Sequence, residues 1–176
     1  HRDPIARPRR GDGVRRILII GAIGPHKGAH LLYAMIRDAA FRDLPLQFEI
    51  LGYTSDKRIA TGPHVTVHGP YKGDEDAAKP IQRIQPDAMF VSSIVPETYS
   101  FILSVAMSLH LPLVSFDLGA PADRIATYKR GVVLLRRLLD NPAGVNDALL
   151  SIDLNQLWDT PPNAQMDGVS ALSDHF

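Results

Sequence analysis

Two short segments hold the residue types from which binding chemistry can be built. Gly24-Pro25-His26-Lys27-Gly28 follows an apolar run and opens a stretch of helical periodicity. Its glycines let the backbone turn tightly and approach a ligand, and the helix N-terminus behind them favours an anion. Lys27 would add a point charge suited to a diphosphate, with His26 close enough to donate. The competing reading is an ordinary strand-to-helix turn with an exposed lysine and an exposed histidine. The second segment is Pro96-Glu97-Thr98-Tyr99-Ser100, a loop carboxylate ahead of the amphipathic stretch Phe101 to Met107. Glu97 could accept hydrogen bonds from sugar hydroxyls or balance charge at a reacting carbon. Thr98 and Ser100 could cap the helix, whose open N–H groups would then meet phosphate oxygens. Taken alone, Glu97 needs no more than the helix dipole to explain it. Together, a cation and a carboxylate at two helix N-termini would suit a phosphorylated sugar.

Other chemistries find less support. The Gly24–Gly28 turn lacks the Gly-x4-Gly-Lys-Ser/Thr order of a Walker loop and the Gly-x-Gly-x-x-Gly order of a dinucleotide fingerprint. His26, His64, His68 and His110 are not spaced as a ligand cluster, so no protein-held metal is expected. Asp117 and Asp123 read as turn and capping residues. No Ser-His-Asp or Cys-His pattern stands out.

The elements that must position these segments alternate along the chain. Ile17-Leu18-Ile19-Ile20 is a short continuous apolar run, as in a strand buried on both faces. Gly28, Leu31, Leu32, Met35, Ile36 and Ala39 recur at helical spacing. A second strand ends at Gly52, and a third, Val65 and Val67, precedes Gly69-Pro70. Residues 74–85 read as a helix that Pro80 kinks or shortens. Ala88–Val91 is the fourth strand, residues 113–116 the fifth and residues 131–134 the sixth. A short helix begins near Ala120, and residues 143–151 form the last. This alternation predicts an α/β domain: a Rossmann-like, doubly wound parallel sheet of about six strands, with ligands beyond the carboxyl ends of the strands. Both candidate segments fall at such ends.

The chain has 176 residues, 45% of them hydrophobic, enough for one domain with a full core. It has no cysteine, which rules out disulfides and thiolate metal sites and agrees with a reducing compartment. Net charge is zero but uneven. Residues 1–16 hold six arginines against Asp3 and Asp12, and residues 151–176 hold four aspartates and neither Lys nor Arg. The basic arm could touch nucleic acid or lipid, but its Pro, Gly and Asp content and lack of aromatics favour a linker. Three parts are therefore expected: a linker arm over 1–15, the Rossmann-like domain over 16–152, and a loosely ordered acidic tail over 153–176. Leu154, Leu157 and Trp158 could dock that tail on the body. No transmembrane run or signal peptide is visible, and a start at His1 reads as an excised piece of a longer protein.

From Arg16 to Leu150 these pieces, in order, resemble the C-terminal, nucleotide-sugar-binding domain of family 4 retaining glycosyltransferases of the GT-B fold. The ordered set is Ile20 to Gly28, Ile50-Leu51-Gly52, Val67-His68-Gly69-Pro70-Tyr71, Pro86-Asp87-Ala88, Ser92-Ser93, Pro96-Glu97 to Met107, Leu111 to Val114, and Asp117 to Ala120. The resemblance implies that Lys27 contacts the donor diphosphate and that Glu97 lies by the transferred sugar, these two being the catalytic pair. Backbone amides of Ser100 and Phe101 would meet phosphate oxygens, and residues from Gly69 to Tyr71 would border the nucleobase. Gly24, His26, Gly52 and Tyr99 complete the implied donor site. So does position 105, where the second carboxylate of the family's Glu-x7-Glu pattern should hold the ribose.

Three positions depart from the pattern. Val105 replaces that carboxylate, and losing a charged hydrogen bond costs about 1.5–3 kcal/mol. Ala22 stands where an arginine usually partners the lysine, and His110 where a helix-ending glycine is usual. Histidine can adopt positive φ, though less readily than glycine.

The resemblance further implies no cofactor, a nucleotide-sugar substrate, an acceptor-binding N-terminal domain in the same parent chain, and no nucleic-acid partner. Its setting would be cytoplasmic, with peripheral contact at the inner face of the membrane. The alternatives are a scaffolding module that kept the fold and lost the chemistry, or half of a GT-B-type epimerase or phosphorylase.

Overall fold

A computed structural model describes residues 3–95 and 101–162. Six parallel strands form one sheet in the order β3-β2-β1-β4-β5-β6. They are β1 (Arg15–Ile23), β2 (Leu46–Thr54), β3 (Val65–Val67), β4 (Ala88–Val91), β5 (Leu113–Phe116) and β6 (Gly131–Leu134). Ile17, Leu18, Ile19 and Ile20 are all buried, as a strand covered on both faces requires. The sheet is the expected Rossmann-like one.

The chain runs outward from β1 to β3, then returns across the sheet to β4 and continues the other way. Right-handed crossovers put α1 (Ala29–Phe41) and α2 (Lys57–Ala60) on one face. They put α3 (Ala78–Ile84), α4 (Phe101–Ser108) and α5 (Gly119–Thr127) on the other. A sixth helix, α6 (Pro142–Ser151), packs back on α1. There the Asn146 amide donates to the Met35 carbonyl (2.8 Å) and to Asp38 (2.9 Å), and Arg42 bridges Asp38 and Asp147.

Pro80 acts as the sequence suggests, but the helix starts later. Asp74–Ala77 form a 3-10 turn, and α3 runs only from Ala78 to Ile84, with Pro80 in its first turn where a missing N–H costs nothing. Gln85 ends it in the left-handed region, φ 51°. His110 likewise takes φ 63° between α4 and β5, the conformation its position demands.

Both ends of the described chain, around residues 5–10 and 154–160, lie against the amino ends of the strands. Along the basic arm Ile5 is buried and donates its N–H to the Leu109 carbonyl, and Arg10 pairs with Asp87 and donates to the Gln85 carbonyl. A last helix, α7 (Leu154–Asp159), is capped by Asp153 and buries Leu154 and Trp158, the anchors legible in the tail. The Trp158 indole donates to the Asp87 carbonyl at 3.1 Å. Arg130 lies over the Trp158 ring and donates to the carbonyls of Thr160, His110 and Trp158 at 2.7–2.8 Å.

Candidate functional site

The reversal of strand order falls between β1 and β4, so their carboxyl ends open the crevice where doubly wound sheets place ligands. The Gly24–Gly28 turn sits there. Pro25–Lys27 make one 3-10 turn, and Gly28 takes φ 74° before α1 begins. Glycine is required at 28 twice over. The conformation is left-handed, and a Cβ would lie 2.3 Å from the Ser92 carbonyl oxygen.

That close approach is one of several ties between the turn and the loop after β4. The Ser92 hydroxyl donates to the Lys27 carbonyl (2.6 Å), and the Ile94 N–H donates to the His26 carbonyl (3.2 Å). The Lys27 ammonium points at the buried Ser93 hydroxyl, 3.4 Å away. Lys27 is therefore anchored over the mouth of the crevice. Ser92 and Ser93 read in the sequence only as the end of a strand. Two adjacent small hydroxyls just ahead of Pro96-Glu97 were the available signal.

One strand over, the expected Gly52 and Gly69 meet: the Gly52 N–H donates to the Gly69 carbonyl at 2.9 Å. Gly52 has φ 136°, and a Cβ there would come 2.1 Å from the Gly21 carbonyl oxygen, so β1 and β2 close up at their ends only because 52 is glycine. Gly69 has open space around it. Tyr71, next along, lines a cleft of about 640 Å³ between the β2 and β3 ends and α3. Leu51 lines the same cleft, and its neighbour in register, Ile20, lines a small hollow beneath Lys27. Partners in register share a face, so hollow and cleft lie on the same side of the sheet, the side of α3 and α4. Two strand spacings, about 10 Å, separate β1 from β3.

The remaining expected residues divide. Phe101 opens α4 and is 68% exposed, beside the end of β4. Glu97, Tyr99 and Ser100 lie outside the described residues. Val105 is 3% exposed and belongs to the hydrophobic core, so it presents no polar atom to a ligand. Ala22 is exposed beside Tyr53 in register, with no side chain to reach the turn.

Sequence spacing gave no hint of another pairing. Glu49, in the middle of an apolar strand, is buried, and its carboxylate accepts from His68 Nε2 at 2.8 Å with Arg16 Nε 4.0 Å away. A buried carboxylate needs such partners. The bond orients His68, which lines the cleft beside Tyr71.

No family model matches the sequence, and no curated protein matches it. Solved structures do share the fold. TarM superposes with a TM-score of 0.61 at 20% identity, over 87% of this chain and 31% of that one. The apo form of the lipopolysaccharide outer core galactosyltransferase WaaB gives 0.61 at 18% identity, over 89% and 48%. Anabaena Alr3699/HepE, in complex with UDP and glucose, gives 0.59 at 15% identity, over 83% and 41%. The chain thus spans less than half the length of each of these proteins, and what it shares with them is the Rossmann-like α/β fold.

Proposed function

We propose that this chain is the donor-binding half of a retaining glycosyltransferase, which transfers a sugar from a nucleotide-diphosphate donor to a glycan or lipid-linked acceptor in polysaccharide assembly. One observation carries the reading. A glycine-flanked lysine is fixed at the strand-order switch point by hydrogen bonds to the loop after β4. Fixed cationic and N–H groups aimed where charge develops are the usual source of transition-state stabilisation. The diphosphate leaving group gains negative charge as the glycosidic bond breaks. Lys27 and the amides at the start of α4 would stabilise it, while Glu97 faces the sugar and the strip from Gly69 to Tyr71 borders the base. The WaaB and HepE likenesses support the reading through what those proteins are and bind. No metal ion takes part, and the acceptor is held by a separate N-terminal domain of the parent chain. That chain would work in the cytoplasm, peripheral to the inner face of the membrane. Among the described residues no helix is long and apolar enough to cross a membrane.

Val105 and Ala22 favour a second reading, a module that kept the fold but lost donor affinity. Thermal unfolding with saturating UDP, GDP, TDP or ADP separates the two. A ligand at about 100 times its Kd adds about 2.7 kcal/mol, a rise of several degrees. The donor reading expects a rise with one nucleotide that Lys27→Ala abolishes. No rise with any nucleotide overturns it for the isolated half and leaves the decayed module.

A further inference from the structure

The cleft between β3 and α3 carries more charge than a nucleobase requires. Lys72, Lys79 and Arg83 all line it, and among the described residues none of the three makes a side-chain hydrogen bond or ion pair. Among the described residues Asp76 is the one carboxylate in the lining. Lys79 and Arg83 stand four residues apart on α3, so they share a helix face, where like charges disfavour the helix. Arg83 in the last turn gains a little from the helix dipole, but Lys79, in the first half of the helix, gains nothing. The floor is of another character: Leu51, Ile84 and the Tyr71 ring. His68, held at Nε2 by the buried Glu49, completes the wall. At about 640 Å³ the cleft is far larger than a bare phosphate and falls in the range of small-molecule pockets. Neutral bases give no reason for three converging cations without partners, and the donor diphosphate of the proposed function would lie at Lys27, about two strand spacings away.

We infer that this cleft binds a small phosphorylated organic molecule distinct from the nucleotide donor. Its phosphate sits among Lys72, Lys79 and Arg83, and its body lies on Tyr71 and the apolar floor. A phosphate there relieves the mutual repulsion of the cations, which have no side-chain partners among the described residues. Pro70 and Tyr71 also border the donor's base in the proposed function, so this ligand and the base would exclude each other there. The three cations are assigned to neither base nor diphosphate, and the inference about them stands without the glycosyltransferase reading.

The test is thermal unfolding of the 176-residue chain carrying Lys27→Ala, which removes the other candidate phosphate site. Glucose 1-phosphate, inorganic phosphate and glucose are each titrated to about 20 mM, well above the millimolar affinity of a weak site. The expected result is a rise of several degrees with glucose 1-phosphate, a smaller one with phosphate and none with glucose. Adding Lys79→Ala and Arg83→Ala should abolish both rises while leaving the unliganded Tm within a degree or two, since neither side chain bonds to another among the described residues. Three results overturn the proposal: no rise with glucose 1-phosphate, a rise that survives loss of both cations, or equal rises with phosphate and glucose 1-phosphate. Nucleotide binding that persists in the Lys79→Ala/Arg83→Ala protein while these rises fail would overturn the phosphate cleft and leave the donor site standing.

Discussion

The two ends of the sheet use cations in opposite ways. At the amino ends of the strands three arginines are committed to the chain. Arg15 donates to the carbonyls of Leu149 and Ile152, Arg10 binds Asp87, and Arg130 ties three carbonyls together. These carbonyls lie in the last turn of α6 and just past it, around α7 and ahead of β5. At the carboxyl ends Lys72, Lys79 and Arg83 bond to no backbone group among the described residues, and the Lys27 ammonium reaches the Ser93 hydroxyl. Glycines do not follow this division: Gly28 and Gly52 permit backbone contacts at the carboxyl end that a Cβ would forbid, and Gly131, at the amino end of β6, permits one with the Ile125 carbonyl. One end is built to be closed by its own side chains, the other to be completed by something else. Substitutions at the amino end should therefore alter stability alone, and those at the carboxyl end should alter binding.

Position 105 is the sharpest way to break this division. Family resemblance puts it in the donor site, whereas the structure puts it in the core at 3% exposure. Val105→Glu should then behave as a core substitution. It buries a carboxylate without a partner, and the expected cost is about 3–5 kcal/mol with no gain in nucleotide affinity. Denaturant unfolding and nucleotide titration of the same protein decide it. A stable variant with tighter nucleotide binding would mean that residue 105 faces the ligand and that the site has decayed there.

Arg130→Ala tests the closed end. It strips three carbonyls of a charged donor and the Trp158 ring of its cation, at an expected cost of about 2–4 kcal/mol. Nucleotide response at temperatures where the protein is folded should be unchanged. Loss of that response without loss of stability would erase the distinction between the ends.

The fold was far more legible than the site. Short apolar runs separated by helical periodicity locate all six strands. The inner four are largely buried on both faces, while the edge strands β3 and β6 are only partly buried. Pro80 and His110 mark where helices shorten and stop. The reading missed α2, which is one turn long with only Ile59 buried, and it expected a loose tail, with Leu154, Leu157 and Trp158 as possible anchors, where α7 docks. There Trp158 and Leu154 outweigh an acidic, Pro-containing composition once Arg130 and Asp87 supply partners from distant parts of the chain. Backbone features were legible where a glycine takes positive φ, as at Gly28, Gly52 and Gly69. Pairings between residues far apart in sequence were not. Glu49 with His68, Lys27 with Ser93, and the convergence of Lys72 with α3 leave no periodic trace. Val105 was misplaced for a related reason: a motif position says which residue should be near a ligand, while the apolar stretch from Phe101 to Met107 decides which way it points.

The smallest expected effect is a pH dependence, and it belongs to the closed end. Burial first, and the Arg130 guanidinium second, hold the His110 imidazole below its ordinary value near 6.5. The folded protein therefore favours neutral His110, and the unfolded chain binds a proton more readily. Stability from this group is complete above about pH 6.5 and is lost as pH falls through the lowered folded value. Carboxylates titrate over the lower part of the same range, so the measurement is a difference between two proteins. His110→Asn is the right comparison, since asparagine tolerates the left-handed conformation at φ 63° and does not titrate. Between pH 7 and about pH 5 the Tm of the wild type should fall further than that of His110→Asn, with the two curves converging on the alkaline side. Parallel curves would mean that His110 ionises without cost in the fold, and that the guanidinium of Arg130 is turned wholly toward its carbonyls.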